Sequence, residues 1–122
     1  MYQAIVQTHF SSAHRLRGYE GECEALHGHN WKVSLEVTAE RLNNLGMVAD
    51  FKALKRELAL IIQGLDHRYL NEVPPFERLN PTSENLARCI FESLSNVIND
   101  ERIRVTRVTV WESETSQASF ST

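Results

Sequence analysis

Residues 29–38 read HNWKVSLEVT, and apolar and polar side chains alternate along them. Trp31, Val33, Leu35 and Val37 would face one way, and the intervening polar side chains would face the other. Such alternation is typical of a β-strand that packs one face on a core and turns the other to solvent. Residues 2–11 alternate in the same way, apart from Ile5, and predict a second strand of this kind.

Two segments with helical periodicity follow these strands. Asp50 can cap the first helix and Gly64 can end it. Thr82 or Ser83 can cap the second helix, which is predicted to run to Asn99. The stripes expected to face the core are Phe51, Leu54, Leu58, Ile61, Ile62 and Leu65 in the first helix, and Leu86, Cys89 or Ile90, Leu94, Val97 and Ile98 in the second.

Strand character returns over residues 103–112, and a short last strand is predicted at about 117–121. The apolar parity switches between Val105 and Val108, which predicts a bulge or a twist there. The order strand, strand, helix, helix, strand, strand favours an α+β fold over a parallel sheet. We therefore expect one domain over residues 1–122, with a four-stranded antiparallel sheet and both helices on its apolar face. Its edge strands would be a liability that association can cover.

Composition excludes several classes of function. A net charge of -3 provides no basic surface for nucleic acid. The N-terminus lacks the pattern of a secretory signal, and no apolar stretch reaches the roughly 20 residues of a membrane helix. Two cysteines far apart in sequence do not indicate a disulfide framework. These features predict a cytoplasmic protein with neither a nucleic-acid nor a membrane partner.

Three histidines form a candidate metal site. His27 and His29 are two residues apart, so their side chains project to one side of an extended chain. His14 lies just past the end of the first predicted strand and could lie beside them. Three imidazoles with one open position are the ligand pattern of catalytic rather than structural Zn²⁺. Strict alternation puts His29 on the core face with Trp31, so either the strand bulges after His29 or the site lies at the end of the sheet.

Other readings of these histidines remain open. They could be ordinary polar residues, because short motifs produce false positives. A structural zinc site would need a fourth protein ligand, which Cys23 could supply. Cys23 could instead act as a nucleophile or base, with its thiolate favoured by a nearby cation. Cys89 lies on an apolar helical stripe and is interpreted as a core residue.

Two further constellations carry possible chemistry. Asp66 and His67 are adjacent after the first helix and could form a proton-transfer unit, although a polar helix exit is the simpler interpretation. Glu112 ends an apolar strand after Trp111 and could face a ligand pocket, although solvated charges at strand ends are more common.

Taken together, these motifs resemble the 6-pyruvoyl-tetrahydropterin synthase family over nearly the whole chain. The spacing Cys-x-x-x-His-Gly-His is similar to that of its bacterial branch, 6-carboxytetrahydropterin synthase of the queuosine (7-deazaguanine) pathway. The matching segments are His14, residues 23–30, residues 46–51, residues 65–71, residues 80–85 and residues 110–112.

The resemblance implies a fold and an assembly. Family members adopt the tunnelling fold, in which the sheets of three subunits join into a barrel and two such trimers stack. A homo-oligomer of this kind, a trimer or a homohexamer, would cover the edge strands. Active sites would lie between subunits, where Cys23 meets Asp66 and His67 of a neighbouring chain.

The resemblance also implies a reaction. The substrate would be the pterin triphosphate 7,8-dihydroneopterin triphosphate, and the products 6-carboxytetrahydropterin, acetaldehyde and triphosphate. Zn²⁺ would be held by His14, His27 and His29. The catalytic residues would be Cys23, Asp66 and His67. Glu112 would anchor the pterin ring, and Thr82 and Ser83 would line its pocket.

Three other functions compete with this one. The pyruvoyl synthase activity of the same family eliminates triphosphate and keeps the side-chain carbons. Hydrolysis by zinc-bound hydroxide would need neither Cys23 nor Glu112. A zinc-stabilised, non-catalytic pterin-binding module would lose its fold on chelation and turn over no pterin.

Overall fold

The computed structural model describes residues 1–19 and 25–122 and confirms the predicted α+β fold. Its four strands form one antiparallel sheet in the order β1-β2-β3-β4. The elements in chain order are β1 (Tyr2–His14), β2 (His27–Ala39), α1 (Phe51–Gln63), a 3₁₀ turn (Leu70–Glu72), α2 (Ser83–Ile98), β3 (Ile103–Ser113) and β4 (Ser116–Ser121).

The alternation in β2 produces the predicted two-faced sheet. Trp31, Val33, Leu35 and Val37 are fully buried on one face. Both helices cover that face, with α1 against β1 and α2 against β3 and β4. Burial of these large apolar side chains is the main term that stabilises the layer. The exposed Ile5 also agrees with the sequence, in which it breaks the alternation of β1.

Both helices begin where the capping residues predict. The Asp50 carboxylate accepts from the backbone N–H of Lys52 at 2.8 Å, and the Thr82 hydroxyl accepts from Asn85 N–H at 3.1 Å. Two predicted core positions are wrong, because Phe51 and Val97 are 58% and 59% exposed. Phe51 lies in the first turn of α1, before the buried part of its stripe, and Val97 lies on the outer side of α2, one residue before the buried Ile98.

Of the bulge or twist predicted in β3, the structure shows a bulge. Glu36 pairs with Arg107 while Val37 pairs with Val105, so Thr106 is the extra residue. The Thr106 hydroxyl lies 3.1 Å from a carboxylate oxygen of Glu36, which ties the bulge to β2. The bulge explains why buried residues change parity along β3.

A loop covers the end of the outer edge of β1. His67 N–H donates to the Ser11 carbonyl at 2.7 Å, and Ala13 N–H donates to the Arg68 carbonyl at 3.1 Å. The Asp66 carboxylate accepts from Ser11 N–H at 2.9 Å. The last edge groups of β1 are therefore satisfied within the chain. Among the described residues, neither helix has the length and apolar character needed to cross a membrane.

Candidate metal centre and active site

The three histidines converge at one end of the sheet. His14 is the last residue of β1, not a residue beyond it as predicted, and it pairs directly with His27. His29 pairs with Ser12, and the register of β1 and β2 is continuous. His27, His29 and Trp31 therefore share the helix-covered face without a bulge. The parity of His29 is explained by the position of the site at the end of the sheet.

Two backbone carbonyls orient the imidazoles. His14 Nδ1 lies 2.8 Å from the Pro81 carbonyl, and His27 Nδ1 lies 2.9 Å from the Ala25 carbonyl. A carbonyl only accepts, so each neutral ring carries its proton on Nδ1 and a lone pair on Nε2. The two Nε2 atoms face each other at 3.1 Å. Two lone pairs at this distance repel one another unless they share a cation.

The spacing fits a tetrahedral metal ion. Two nitrogens that each lie about 2.0–2.1 Å from Zn²⁺ in tetrahedral geometry are about 3.3 Å apart. The ring centroids of the three histidines are 4.6–5.1 Å apart. His14, His27, His29 and Glu112 can each offer one ligand atom, and all four atoms lie within 4.8 Å of one another. The donor set therefore fits zinc.

The core supports this cluster from below. His14 is 2% exposed, and its ring lies edge-on to Trp31 with 4.8 Å between centroids. The Trp31 ring also contacts His29 at 5.3 Å, and its indole N–H donates to the Ser12 carbonyl at 3.1 Å. Because Trp31 is fully buried, its ring is held in place by the core and restricts the orientation of the two imidazoles that pack against it.

Among the residues that the structure describes, Glu112 forms an ion pair with His29. The residue before it, Trp111, pairs with Lys32 at the end of the β2–β3 ladder. The Oε1 atom of Glu112 lies 3.1 Å from His29 Nε2, and the Glu112 side chain is 38% exposed. Sequence reasoning treated this carboxylate as separate from the histidines, and the pairing of β3 with β2 brings it to their side.

A cavity of about 600 Å³ opens at this end of the sheet. His29 and Glu112 line it together with His9, Lys32 and Trp111. The ammonium of Lys32 lies 4.1 Å from the centroid of the Trp111 ring. A ligand in this cavity would therefore contact His29 and Glu112 of the cluster, and an aromatic wall with a cationic group.

The Asp66–His67 pair lies apart from the cluster, at the covered edge of β1. His67 Nδ1 is 3.0 Å from Asp66 Oδ1, and the His67 side chain is 82% exposed. His67 adopts a left-handed backbone conformation with φ of 55°. Hydrogen bonding from Ser11 N–H lowers the pKa of Asp66 below its ordinary value of 3.8, burial opposes this, and His67 adds to the lowering. The carboxylate is thus kept ionised beside an outward-facing imidazole.

The profile of the family described as 6-pyruvoyl tetrahydropterin synthase matches residues 3–122. The chain belongs to this family.

Several relatives support the carboxy branch of the family, since they bear the name 6-carboxy-5,6,7,8-tetrahydropterin synthase. One, from Synechocystis, is 41% identical over 90 residues, which cover 70% of this chain and 68% of the relative. A Pyrococcus furiosus protein named dihydroneopterin monophosphate aldolase is 37% identical over 109 residues, covering 88% and 87%. The structure of Caenorhabditis elegans 6-pyruvoyl tetrahydropterin synthase matches with a TM-score of 0.85 and 27% identity, covering 99% of this chain and 95% of that one. The fold is therefore the tunnelling fold of this family.

Several other predicted site residues have clear positions. Thr82 is partly exposed and Ser83 is buried at the start of α2, one and two residues after the carbonyl that holds His14. Cys23 lies outside the described residues. Cys89 packs against the core as interpreted, and burial, followed by the charge of Glu92, raises the pKa of its thiol.

Two asparagines that support the site were missed by sequence reasoning. Asn71 accepts from Arg15 N–H and donates to the Arg15 carbonyl, each at 2.9 Å. Asn80 makes the same pair of bonds with Arg17, again at 2.9 Å. They hold the segment that leaves His14, much as a neighbouring strand would. The signal available in the sequence was an asparagine in each of two loops, which also occurs in ordinary turns.

Proposed function

We propose that the chain is a zinc-dependent 6-carboxytetrahydropterin synthase. It converts 7,8-dihydroneopterin triphosphate to 6-carboxytetrahydropterin, acetaldehyde and triphosphate, a carbon–carbon lyase reaction of queuosine (7-deazaguanine) biosynthesis. The observation that carries the proposal is the facing pair of Nε2 atoms of His14 and His27, 3.1 Å apart, in a cluster whose other two members, His29 and Glu112, line a cavity large enough for a pterin. The names of the relatives support the choice of substrate class.

His14, His27 and His29 hold the metal in this proposal. When bound, zinc supplies Lewis-acid polarisation of the hydroxyl oxygens of the substrate side chain. The Pro81 carbonyl keeps His14 in the ligating tautomer, and the Ala25 carbonyl does the same for His27.

The remaining chemistry is proton transfer by side chains. Cys23, as a thiolate, removes a proton from the substrate side chain. His67 exchanges protons through Nε2, because Asp66 holds its Nδ1 at 3.0 Å. Glu112 accepts two N–H bonds from the 2-amino-pyrimidinone edge of the pterin and fixes its orientation. Thr82 and Ser83 line the pterin pocket in this proposal.

Each complete active site needs two chains in this proposal. His67 is exposed at the edge of β1, so it is available to a site on a neighbouring subunit. The protein is a homo-oligomer, a trimer or a dimer of trimers, in the cytoplasm. The edges of β1 and β4 are where sheets of neighbouring subunits join.

Product analysis of the zinc-loaded protein with dihydroneopterin triphosphate tests the proposal. We expect acetaldehyde and a carboxypterin in equal amounts. The pyruvoyl activity named for the C. elegans structure would release triphosphate without acetaldehyde. Turnover of the monophosphate to a pterin without a carboxylate would favour the aldolase named for the P. furiosus relative. Either outcome would replace the proposed reaction.

Two variants test the roles of individual residues. Cys23→Ala should lower turnover at least about 10²-fold, because a base in the chemistry is lost. Cys89→Ala is the matched control, since Cys89 is packed against the core. Near-native turnover of Cys23→Ala would remove this thiol from the mechanism.

Removal of the metal by a chelator should abolish activity, and readdition of Zn²⁺ should restore it.

A further inference from the structure

We propose that Glu112 is a fourth, displaceable ligand of the metal, and that its carboxylate leaves the metal when a pterin ring binds. The metal half of this inference rests on the geometry of the cluster, whereas the exchange half rests on the proposed function. Glu112 thereby has two partners in succession, the ion in the free enzyme and the ring edge in the complex.

The distances support coordination. The Glu112 oxygen and His29 Nε2 are 3.1 Å apart, close to the separation of two ligands of one tetrahedral zinc ion. The four candidate ligand atoms lie within 4.8 Å of one another, so an adjustment of the side chains would let one ion contact all of them. Carboxylate oxygen is an ordinary zinc ligand, at about 2.0–2.2 Å.

Protonation explains why this contact matters. If His29 binds the metal through Nε2, that atom carries no proton and cannot donate to Glu112. The carboxylate would then lie 3.1 Å from another acceptor, which is repulsive unless both atoms contact the same cation. With the metal bound, Glu112 therefore either coordinates the ion or turns away from His29.

The local backbone provides room for this turn. The register between β3 and β4 shifts between Trp111 and Ser113, so Glu112 lies at an irregularity and not in a regular ladder. Its side chain is 38% exposed and lines the cavity of about 600 Å³. Rotation about its side-chain torsions would carry the carboxylate from the ion to a ligand in the cavity.

The exchange would couple recognition to metal access. Without a pterin, the carboxylate closes the fourth position of the ion and limits its reaction with water. A ring that offers two parallel N–H donors draws the carboxylate away and frees that position for a substrate hydroxyl. A ligand without this edge would leave the position closed, so Glu112 would act as a specificity filter as well as an anchor.

Metal affinity tests the first half. Competition with a chromophoric chelator should show that Glu112→Gln and Glu112→Ala bind Co²⁺ at least about tenfold more weakly than the native protein. Glu114→Gln is the matched control, because Glu114 is exposed on the same cavity wall and lies outside the ligand cluster. Its affinity should equal that of the native protein. Native affinity in both Glu112 variants would overturn the inference.

The visible spectrum of the Co²⁺ form distinguishes the rival fourth ligand, Cys23. The native spectrum should lack a sulfur-to-cobalt charge-transfer band and should change in Glu112→Ala. A charge-transfer band that disappears in Cys23→Ser, together with an unchanged spectrum in Glu112→Ala, would assign the position to the thiolate and overturn the inference.

A pterin without side-chain hydroxyls tests the second half. Because this probe offers the ring edge alone, its binding should change the Co²⁺ spectrum of the native protein by removing Glu112, and should leave the Glu112→Ala spectrum unchanged. Failure of the pterin to bind, or binding with no spectral change in the native protein, would overturn the exchange.

These outcomes are separable from the proposed reaction. The affinity and the spectra are measured without turnover. A protein that gives the expected metal results and yields no acetaldehyde would refute the proposed reaction and leave the fourth ligand in place.

Discussion

The histidine cluster and the Asp66–His67 pair both adjoin the last residues of β1, yet they differ in burial and in support. His14 is 2% exposed and rests on the buried ring of Trp31. His67 is 82% exposed and contacts an acidic neighbour. The cluster is therefore assembled by the folding of one chain, whereas the pair presents its imidazole outward. The difference teaches that the candidate metal ligands are brought together by the fold of one chain, whereas the exposed pair is accessible to a neighbouring chain.

Removal of the most buried ligand should have the largest effect. His14→Ala should lower zinc affinity more than about a hundredfold, beyond the loss typical of a residue that only supports a ligand. His9→Ala is the matched control, because His9 lies on the same strand but outside the ligand cluster. Chelator competition measures both variants. Native affinity in His14→Ala would show that the cluster does not hold the ion.

Complementation between two inactive variants tests whether the Asp66–His67 pair serves a neighbouring chain or its own chain. Cys23→Ala and His67→Ala, dissociated and reassembled together in equal amounts, should regain about a quarter of the native activity, because a quarter of the interfaces combine two native halves.

The matched control is a mixture of Cys23→Ala with His14→Ala. Both of these residues belong to the same half of the site in this proposal, so no interface can combine two native halves and the mixture should stay inactive. Recovery in this control, or none in the first mixture, would contradict the assignment of the two halves.

The Trp31 ring, which packs beneath the histidine cluster, should make a moderate contribution to the free energy of unfolding. Trp31→Phe removes the indole N–H that donates to the Ser12 carbonyl and leaves a gap in the core, at a cost of about 1–3 kcal/mol in the free energy of unfolding. Urea denaturation of the metal-free protein measures this. Trp111→Phe, on the half-buried cavity wall, should cost less than about 1 kcal/mol. Equal losses in the two variants would show that the indole N–H of Trp31 has no special role.

The smallest expected effect is the change in the free energy of unfolding that the Asp66–His67 pair causes at acid pH. The pKa of Asp66 is lowered in the folded protein, so on acidification the unfolded chain takes up the proton first. The stabilisation is present above the ordinary value of 3.8 and is lost as the pH falls through the lower folded value. When urea denaturation measures the free energy of unfolding at about pH 6 and at about pH 3, Asp66→Asn should lack this loss.

Asp100 provides the matched control for that measurement. Its pKa is also lowered, chiefly by Ile103 N–H and Arg102 N–H, in a turn that supplies no predicted site residue. Asp100→Asn should remove a similar acid-dependent loss and leave turnover unchanged. A steeper acid loss in Asp66→Asn than in the native protein would contradict the role of Ser11 N–H.

The periodicities of the sequence were sufficient to predict most of the fold. Alternation in β1 and β2 predicted the two-faced sheet, and the parity change between Val105 and Val108 predicted a bulge or a twist where the bulge lies. Phe51 and Val97 were assigned to the core wrongly, because helical periodicity does not reveal where a buried stripe begins or how wide it is, and the exposed Val97 is followed directly by the buried Ile98.

The site was predictable in its ligands and less so in their arrangement. The spacing of His27 and His29 indicated a shared side, but the position of Glu112 beside them depends on strand register, which a sequence does not state directly. The bonds of Asn71 and Asn80 to the chain after His14 connect residues more than 50 positions apart, so no local pattern could reveal them.

The loop at residues 66–69 has a further consequence for β1. It occupies the outward backbone groups of Ser11 and Ala13, so a foreign strand can hydrogen-bond along this edge only up to that point. A strand added to this edge would therefore pair only with the residues of β1 that precede Ser11. In the proposed assembly the end of that strand would lie next to Asp66 and His67, so the bonds that hold this loop on β1 would also decide which side chains the strand meets.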